Sequence, residues 1–204
     1  MNVRKLLKSP FVRKIMLAGC KVLSGLNVLL PKRADQVLFY DSMGNTFYDN
    51  SRALFEYMRC NGYTSDYRIV CCIPDPTDYA KLKGKNVSIV GLLGGVWSYL
   101  RSRYVFYSFA NMRITPSKKQ VVVEQWHGTP LKKIGILDKD KLAKKESLDF
   151  FTYLLSASDF FVPIMAEAFG CEEKKVVVLG HTRNDYLYSR RNVLPILGIK
   201  DEDY

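Results

Sequence analysis

From residue 36 onward, the chain alternates between short apolar runs rich in β-branched residues and segments with helical periodicity. The runs that predict strands are 36–40, 67–73, 87–90, 104–108, 120–126, 159–162 and 175–179. The segments that predict helices are 48–60, 77–83, 96–101, 147–156, 163–169 and 184–191. Strands that alternate with helices indicate a parallel sheet with helices on both faces. The sequence therefore predicts a Rossmann-like α/β domain over residues 35–190.

Both histidines of the chain lie where such a sheet binds its ligands. In an open parallel sheet the ligand sits beyond the carboxyl ends of the strands, and this rule selects the turns after Tyr40, Trp126 and Leu179. His127 lies in the second of these turns and His181 in the third. The sequence thus places two imidazoles at the same predicted edge of one sheet.

The turn that contains His127 has the residue types of a proton-transfer site. An imidazole has a pKa near neutrality, so it can take a proton from an attacking hydroxyl. Gly128 allows close approach of the backbone, and Thr129 can act as a cap or bind an oxyanion. The alternative is that a lone histidine after a strand is a structural residue whose hydrogen bonds are satisfied.

Charged residues accompany both histidines. Lys132, Lys133 and Arg183 are natural partners of a phosphate group, and Asp185 can orient a cation or an imidazole. Each also has a structural interpretation, because the lysine pair can be solvated and Arg183 can form a salt bridge with Asp185. The combination of two such turns at one edge favours a phosphate-handling site.

The positive charge of the chain is concentrated at its N-terminus. Lys and Arg outnumber Asp and Glu by 31 to 20, which gives a net charge of +11. The first 33 residues hold eight of these cations and no acid, so the rest of the chain carries only +3. A basic chain implies an anionic partner such as nucleic acid, a membrane surface or a phosphorylated substrate. We do not expect nucleic acid, because the cations do not interleave with aromatic residues and no nucleic-acid-binding motif is present.

Residues 1–34 predict a basic amphipathic helix that ends at Pro31. Apolar residues recur at helical spacing, as in Val22, Leu26 and Leu29. A membrane span requires about 20 mostly apolar residues, and charged residues interrupt this run. We therefore expect the segment to lie on an anionic membrane surface. The alternative is a helix packed on the body of the protein with its cations in solvent.

The five cysteines have no spacing that predicts a metal site or a disulfide framework. No C-x-x-C pair occurs, and Cys71 and Cys72 lie in an apolar run, where cysteine behaves as a small hydrophobic residue. This usage is typical of a reduced, cytoplasmic protein. We expect neither a metal nor another cofactor.

Three segments resemble the motifs of a known family. Residues 49–57 read D-N-S-R-A-L-F-E-Y, residues 125–133 read Q-W-H-G-T-P-L-K-K, and residues 180–185 read G-H-T-R-N-D. They are similar to signatures of the CDP-glycerol glycerophosphotransferase family, the teichoic acid primases and polymerases. The histidine motif is the specific one of the three. Thr182 departs from the family pattern, which has proline at this position.

The resemblance implies a fold, a reaction and a location. Members have a GT-B arrangement of two Rossmann-like domains with the active site between them. They transfer glycerol phosphate, or ribitol phosphate, from a CDP-alcohol to a lipid-linked acceptor in teichoic acid or capsular polymer synthesis. They work peripherally on the cytoplasmic side of the cell membrane. His127 would be the catalytic base, and the substrate-binding cleft would be lined by Gly128, Thr129, Lys132, Arg183 and Asp185.

The resemblance covers one half of such an enzyme. Residues 35–190 correspond to its N-terminal, acceptor-side domain and residues 191–204 to the start of a linker, with the CDP-binding domain expected outside the 204 residues. A half-site cannot clamp a nucleotide between two domains, so we expect CDP-glycerol to bind only when a second domain is supplied. The alternatives are an inactive remnant of the enzyme and a non-catalytic accessory module at the membrane surface.

Overall fold

The sheet is parallel and has seven strands in the part of the chain that the structure describes. This computed structural model describes residues 10–40, 47–73, 77–109, 112–138 and 147–188. The strands are β1 (Arg33–Tyr40), β2 (Arg68–Cys72), β3 (Val87–Val90), β4 (Ser102–Tyr107), β5 (Val121–Glu124), β6 (Tyr153–Ser156) and β7 (Val176–Val178). Their order is β3-β2-β1-β4-β5-β6-β7, with every neighbouring pair parallel. The strand order reverses between β1 and β4, and ligands of such sheets bind beyond the carboxyl ends at this point.

Helices cover both faces of this sheet. The described residues form the helices α1 (Pro10–Leu29), α2 (Asp49–Cys60), α3 (Leu92–Arg101) and α4 (Val162–Phe169). Short 3₁₀ helices lie at Tyr63–Ser65, Thr77–Leu82, Gly135–Leu137, Asp159–Phe161, Glu173–Lys175 and Thr182–Tyr188.

Each face of the sheet buries its own cluster, because successive residues of a strand point to opposite faces. Leu38 of β1 packs on the face covered by α3 and α4, whereas Phe39 packs on the face covered by α2. The ring centroids of Phe39 and Phe55 of α2 are 6.1 Å apart. The predicted Rossmann-like sheet with helices on both faces is therefore confirmed.

Two elements predicted near the end of the domain are wrong. The segment 147–156 is not a helix, because residues 147–152 are irregular and the remainder is strand β6. Residues 159–162 are not a strand, because Asp159–Phe161 is a 3₁₀ helix that leads into α4. A short apolar run fits both periodicities, and here pairing with β5 and β7 makes residues 153–156 a strand.

The last helix of the domain is of a different type from the predicted one. The helix predicted at 184–191 is the 3₁₀ helix Thr182–Tyr188. Residues 189–191 lie outside the described residues, and so does the linker expected at 191–204.

Helix α1 packs on the body along one side and exposes apolar residues on the other. Asn27 is fully buried, and its side-chain amide donates to the Thr115 carbonyl oxygen at 3.0 Å and to Gln120 Oε1 at 2.6 Å. The exposed apolar residues that follow one stripe at helical spacing are Ile15, Val22, Leu26 and Leu29. Among the described residues, no helix combines the length and the apolar character that crossing a bilayer requires.

All five cysteines are described, and all are free thiols. Cys71 and Cys72 of β2 are buried in the two core clusters. Burial raises the pKa of both thiols, that of Cys72 to about 11. They are packing residues, in agreement with the sequence-based interpretation.

Gly95 is the point where α3 approaches β2 most closely. A Cβ at this position would lie 2.0 Å from Cys72 Sγ. We expect Gly95→Ala to lower the free energy of unfolding by about 1–3 kcal/mol, the usual effect of overpacking, as measured by urea denaturation. Gly19→Ala is the control, because no atom lies within 4 Å of that Cβ and alanine favours the helix. Equal losses in the two variants would contradict the close approach.

Candidate active site at the carboxyl edge of the sheet

The turn after β5 carries His127 out of the sheet. Trp126 has a left-handed backbone conformation, with φ of 55°, and Glu124 Oε1 accepts its N–H at 2.9 Å. Gly128 has φ of 143°, and a Cβ there would lie 3.3 Å from Arg183 Nη2. A larger residue at position 128 would therefore be strained and would press on the arginine.

The His127 ring is half-buried between two aromatic side chains. It stacks on Phe109, with centroids 5.0 Å apart and an interplanar angle of 16°, and its centroid lies 3.9 Å from that of Trp126. Burial lowers the pKa of His127 below its ordinary value of 6.5; Asp49 acts in the opposite direction, and Arg183 lowers the pKa further. The imidazole is therefore neutral at pH 7 and able to accept a proton.

Arg183 lies beside this histidine and is held by two partners. Its Nη1 donates to Asp49 Oδ2 at 2.6 Å, and its Nη2 donates to the His127 carbonyl oxygen at 2.8 Å. The Arg183 side chain is 39% exposed, whereas that of Asp49 is only 7% exposed. A guanidinium that is fixed in place yet open to solvent is suited to binding an anionic group such as phosphate.

Asn50, at the start of α2, connects the two turns. Its Nδ2 donates to the Trp126 carbonyl oxygen at 2.7 Å, and its Oδ1 accepts the Arg183 N–H at 3.0 Å. The Thr182 hydroxyl donates to the Asn50 carbonyl oxygen at 2.9 Å. Proline, which the resembled family has at position 182, cannot donate this bond.

A second set of buried polar side chains lies beside these contacts. The hydroxyl oxygens of Ser51 and Ser108 are 3.0 Å apart, and Ser51 also donates to Gln125 Oε1 at 3.3 Å. Gln125 Nε2 donates to Thr182 Oγ1 at 3.5 Å. These bonds tie the start of α2 to the ends of β4, β5 and β7.

His181 is the more enclosed of the two histidines. It is only 8% exposed, and neither ring nitrogen makes a hydrogen bond to a described residue. Burial lowers the pKa of His181 below 6.5, and the positive charge of Arg183 lowers it further. The nearby backbone of Gln125 raises this pKa, although its geometry does not meet that of a hydrogen bond to the ring. The His181 ring lines a cavity of about 10 Å³ behind the His127 turn. Such a cavity admits about one water molecule, so the space beside His181 is too small for a substrate.

The structure brings together three of the six residues that the sequence assigns to the site, namely His127, Gly128 and Arg183. Thr129 belongs to the same turn and lines the small cavity with His181. Lys132 is exposed and forms no ion pair with a described residue.

Asp185 lies apart from the His127 turn. It lines a cleft of about 680 Å³ that runs along α2, together with Arg52, Tyr57 and Tyr186. The salt bridge considered between Arg183 and Asp185 does not form, because the guanidinium pairs with Asp49. Asp185 is therefore placed to contact a ligand in this cleft and not to orient His127.

Asp49, Asn50 and Phe109 are site residues that the sequence did not assign. Asp49 and Asn50 begin the motif at 49–57, but 134 residues separate Asp49 from Arg183, and no local pattern shows that the two meet. The D-N pair at a predicted helix start was the available signal for them. No signal pointed to Phe109.

The two histidines give the stability of the fold a pH dependence of known sign. Because both pKa values are lower in the folded protein than the ordinary 6.5, the unfolded chain binds more protons below that value, and stability falls as the pH falls. We expect the free energy of unfolding, measured in urea, to decrease between about pH 7 and pH 5. The variant His127→Gln/His181→Gln should lose this part of the decrease. An identical pH profile in that variant would contradict the assignment.

Comparison with protein families identifies relatives of the chain. The family model described as CDP-Glycerol:Poly(glycerophosphate) glycerophosphotransferase matches residues 22–203. The teichoic acid poly(glycerol phosphate) polymerase of Bacillus spizizenii is 27% identical over 188 residues, which are 85% of this chain and 47% of the relative. The teichoic acid glycerol-phosphate transferase of Staphylococcus aureus is 28% identical over 174 residues, or 76% of this chain and 43% of the relative. The chain thus spans about half the length of these relatives.

A solved structure shares the fold. A variant of the wall teichoic acid polymerase TagF superposes with a TM-score of 0.69 at 21% identity, and the match covers 97% of this chain and 52% of that one. This likeness shows that the Rossmann-like sheet is shared with a solved structure.

Proposed function

Because the chain belongs to the CDP-glycerol:poly(glycerophosphate) glycerophosphotransferase family, we propose that it supplies the acceptor-side half of a glycerophosphotransferase site. The reaction is transfer of glycerol phosphate, or ribitol phosphate, from a CDP-alcohol to a hydroxyl of a lipid-linked acceptor. One observation carries the proposal: the half-buried His127 lies in a turn whose carbonyl oxygen accepts a hydrogen bond from Arg183, and the guanidinium of Arg183 is fixed and open to solvent.

The residues of this chain have distinct tasks in the proposed reaction. The acceptor hydroxyl forms a new oxygen–phosphorus bond to the β-phosphorus of the CDP-alcohol, and the bond from that phosphorus to CMP breaks. His127 takes the proton that the hydroxyl loses. Arg183 faces the negative charge of the transferred phosphate, and fixed donors of this kind supply much of the catalysis in phosphoryl transfer. The nucleotide itself would be held by residues outside this chain.

The test is release of CMP from CDP-glycerol with a lipid-linked acceptor. The chain is assayed alone and mixed with the C-terminal half of the Bacillus spizizenii polymerase, and that full-length relative is the positive control. We expect release only when both halves are present. Release by the chain alone would contradict the half-site, and no release by the mixture, with an active control, would contradict the transfer function.

We also propose that α1 holds the protein on an anionic membrane surface. Its apolar stripe of Ile15, Val22, Leu26 and Leu29 is exposed, and Lys14 and Lys21 are exposed on the same helix. Burial of apolar side chains at the interface and about 1 kcal/mol per cation near anionic lipid support peripheral binding. In the proposed reaction this would bring the site to the lipid-linked acceptor.

Flotation with phosphatidylglycerol vesicles tests the anchor. Residues near Asn27 pack on the body, so we replace exposed positions only and leave the helix in place. Val22→Asp/Leu26→Asp should lose most of the floated fraction, because two charges enter the apolar stripe. Leu92→Asp/Leu93→Asp, at exposed apolar positions of α3, is the matched control and should float like the wild type. Equal flotation of both variants would contradict the anchor, whereas flotation without CMP release would favour the accessory module.

A further inference from the structure

Asn50 occupies an unusual position between the two turns of the site. Its side chain is fully buried, and both ends of its amide are engaged, one with the Trp126 carbonyl and the other with the Arg183 N–H. Leaving this buried amide without its partners would lower the free energy of unfolding by about 1–3 kcal/mol per unmade bond. Asn50 therefore strongly favours one relative placement of the two turns.

The backbone around Asn50 is strained. Asp49, directly before it, has φ of 63°, and Trp126, whose carbonyl it binds, has φ of 55°. Non-glycine residues in this region are about 1–3 kcal/mol less stable than in ordinary conformations, and such strain is concentrated at functional sites. Asn50 bonds to both strained residues, through its backbone N–H to Asp49 Oδ1 at 2.7 Å and through its Nδ2 to the Trp126 carbonyl oxygen at 2.7 Å.

We propose that Asn50 is a positioning residue that sets the placement of His127 relative to Arg183. Its Nδ2 holds the turn that presents the imidazole, while its Oδ1 holds the backbone of the arginine. Asp49 completes the arrangement by fixing the guanidinium of the same arginine. The role of this placement in catalysis rests on the proposed function, but the placement itself can be measured without an activity assay.

A histidine titration by NMR measures it in the intact chain. The chain has only two histidines, so the spectrum of His181→Gln assigns both ring signals. The variant Asn50→Ala should raise the pKa of His127 toward the ordinary 6.5, because a released turn exposes the ring that Phe109 and Trp126 now cover. The charged groups that face the ring, Asp49, Arg183 and His181, are not replaced in this variant.

Two controls separate positioning from general destabilisation. Asn61→Ala removes an exposed asparagine at the other end of α2, whose amide donates to the Tyr57 carbonyl oxygen, and should leave the His127 pKa unchanged. Met58→Ala removes a buried side chain of the same helix and should lower the urea midpoint without moving that pKa. A His127 pKa in Asn50→Ala equal to that of the wild type, or a shift of the same size in Met58→Ala, would overturn the proposal.

The Arg183 side of the proposal has its own measurement. The Nη–H protons of this arginine, which donate to Asp49 and to the His127 carbonyl oxygen, should exchange with water faster in Asn50→Ala. A smaller effect is expected in Thr182→Val, which removes the hydroxyl that bonds to Asn50 and to Gln125. Thr182→Val keeps the test decisive if Asn50→Ala does not fold. Unchanged exchange in Thr182→Val would then overturn the proposal. A failure of the CMP assay would leave these spectra unaffected, so the two hypotheses fail independently.

Discussion

Replacing His127 with glutamine is expected to reduce CMP release by the two-half mixture about 10²–10⁴-fold, the usual contribution of a general base. Glutamine fills much of the same space between Phe109 and Trp126, but it cannot take a proton at neutral pH. The rate loss corresponds to about 3–5 kcal/mol of transition-state stabilisation. Initial rates at saturating CDP-glycerol give this number directly.

The matched control for this variant is His181→Gln. His181 is the other imidazole of the same edge, it is more deeply buried, and its cavity is too small for a substrate. We expect a far smaller rate loss there. Rates of His127→Gln and His181→Gln that fall together would show that the region needs its histidines for structure, and an unaffected His127→Gln would remove His127 from the reaction.

The pH profile distinguishes a base from a binding residue. Because burial lowers the pKa of His127, the wild-type rate should stay constant down to below about pH 6.5 and fall in more acidic solution, where the imidazole is protonated. The residual activity of His127→Gln should lack this acid limb. A retained limb would assign the titration to another group.

The strand pattern and the histidine motif carried most of what could be predicted about the fold and the reaction. A hydrophobic run is a local property of the sequence, and it can be recognised without knowing which strands pair. For this reason the predicted positions of β1 to β5 and β7 lie near the observed ones. The prediction of a helix at 147–156 is wrong because residues 153–156 form a strand through pairing with β5 and β7, and sequence periodicity does not contain this pairing. The neighbouring segment 159–162 is predicted as a strand, whereas Asp159–Phe161 is a 3₁₀ helix.

The site shows the same division between local and long-range information. His127, Gly128 and Arg183 lie in turns whose position follows from the ends of strands. The partner of Arg183 could not be predicted in this way, because the sequence favours a local salt bridge with the nearby Asp185. The observed partner, Asp49, lies at the start of α2, 134 residues before Arg183 in the sequence.

Removing Arg183 and removing Asp49 should lower the stability of the fold by different amounts. The Asp49 carboxylate is 7% exposed, whereas the Arg183 side chain is 39% exposed. Removing the arginine leaves a buried charge whose one remaining bond to a described residue comes from the Asn50 N–H at 2.7 Å. Removing the carboxylate leaves a guanidinium that water can still reach. The buried member is therefore the one that cannot tolerate the loss of its partner.

We expect Arg183→Met to lower the free energy of unfolding by about 2–3 kcal/mol, less than the 3–5 kcal/mol of a fully buried pair, because the arginine is partly solvated. Asp49→Asn keeps the side-chain shape and tolerates the left-handed φ, so its loss should be about 1 kcal/mol. The double variant should resemble Asp49→Asn, since no unpaired carboxylate remains. Urea denaturation of the four proteins completes the cycle. Additive losses would show that the ion pair contributes no coupling to stability.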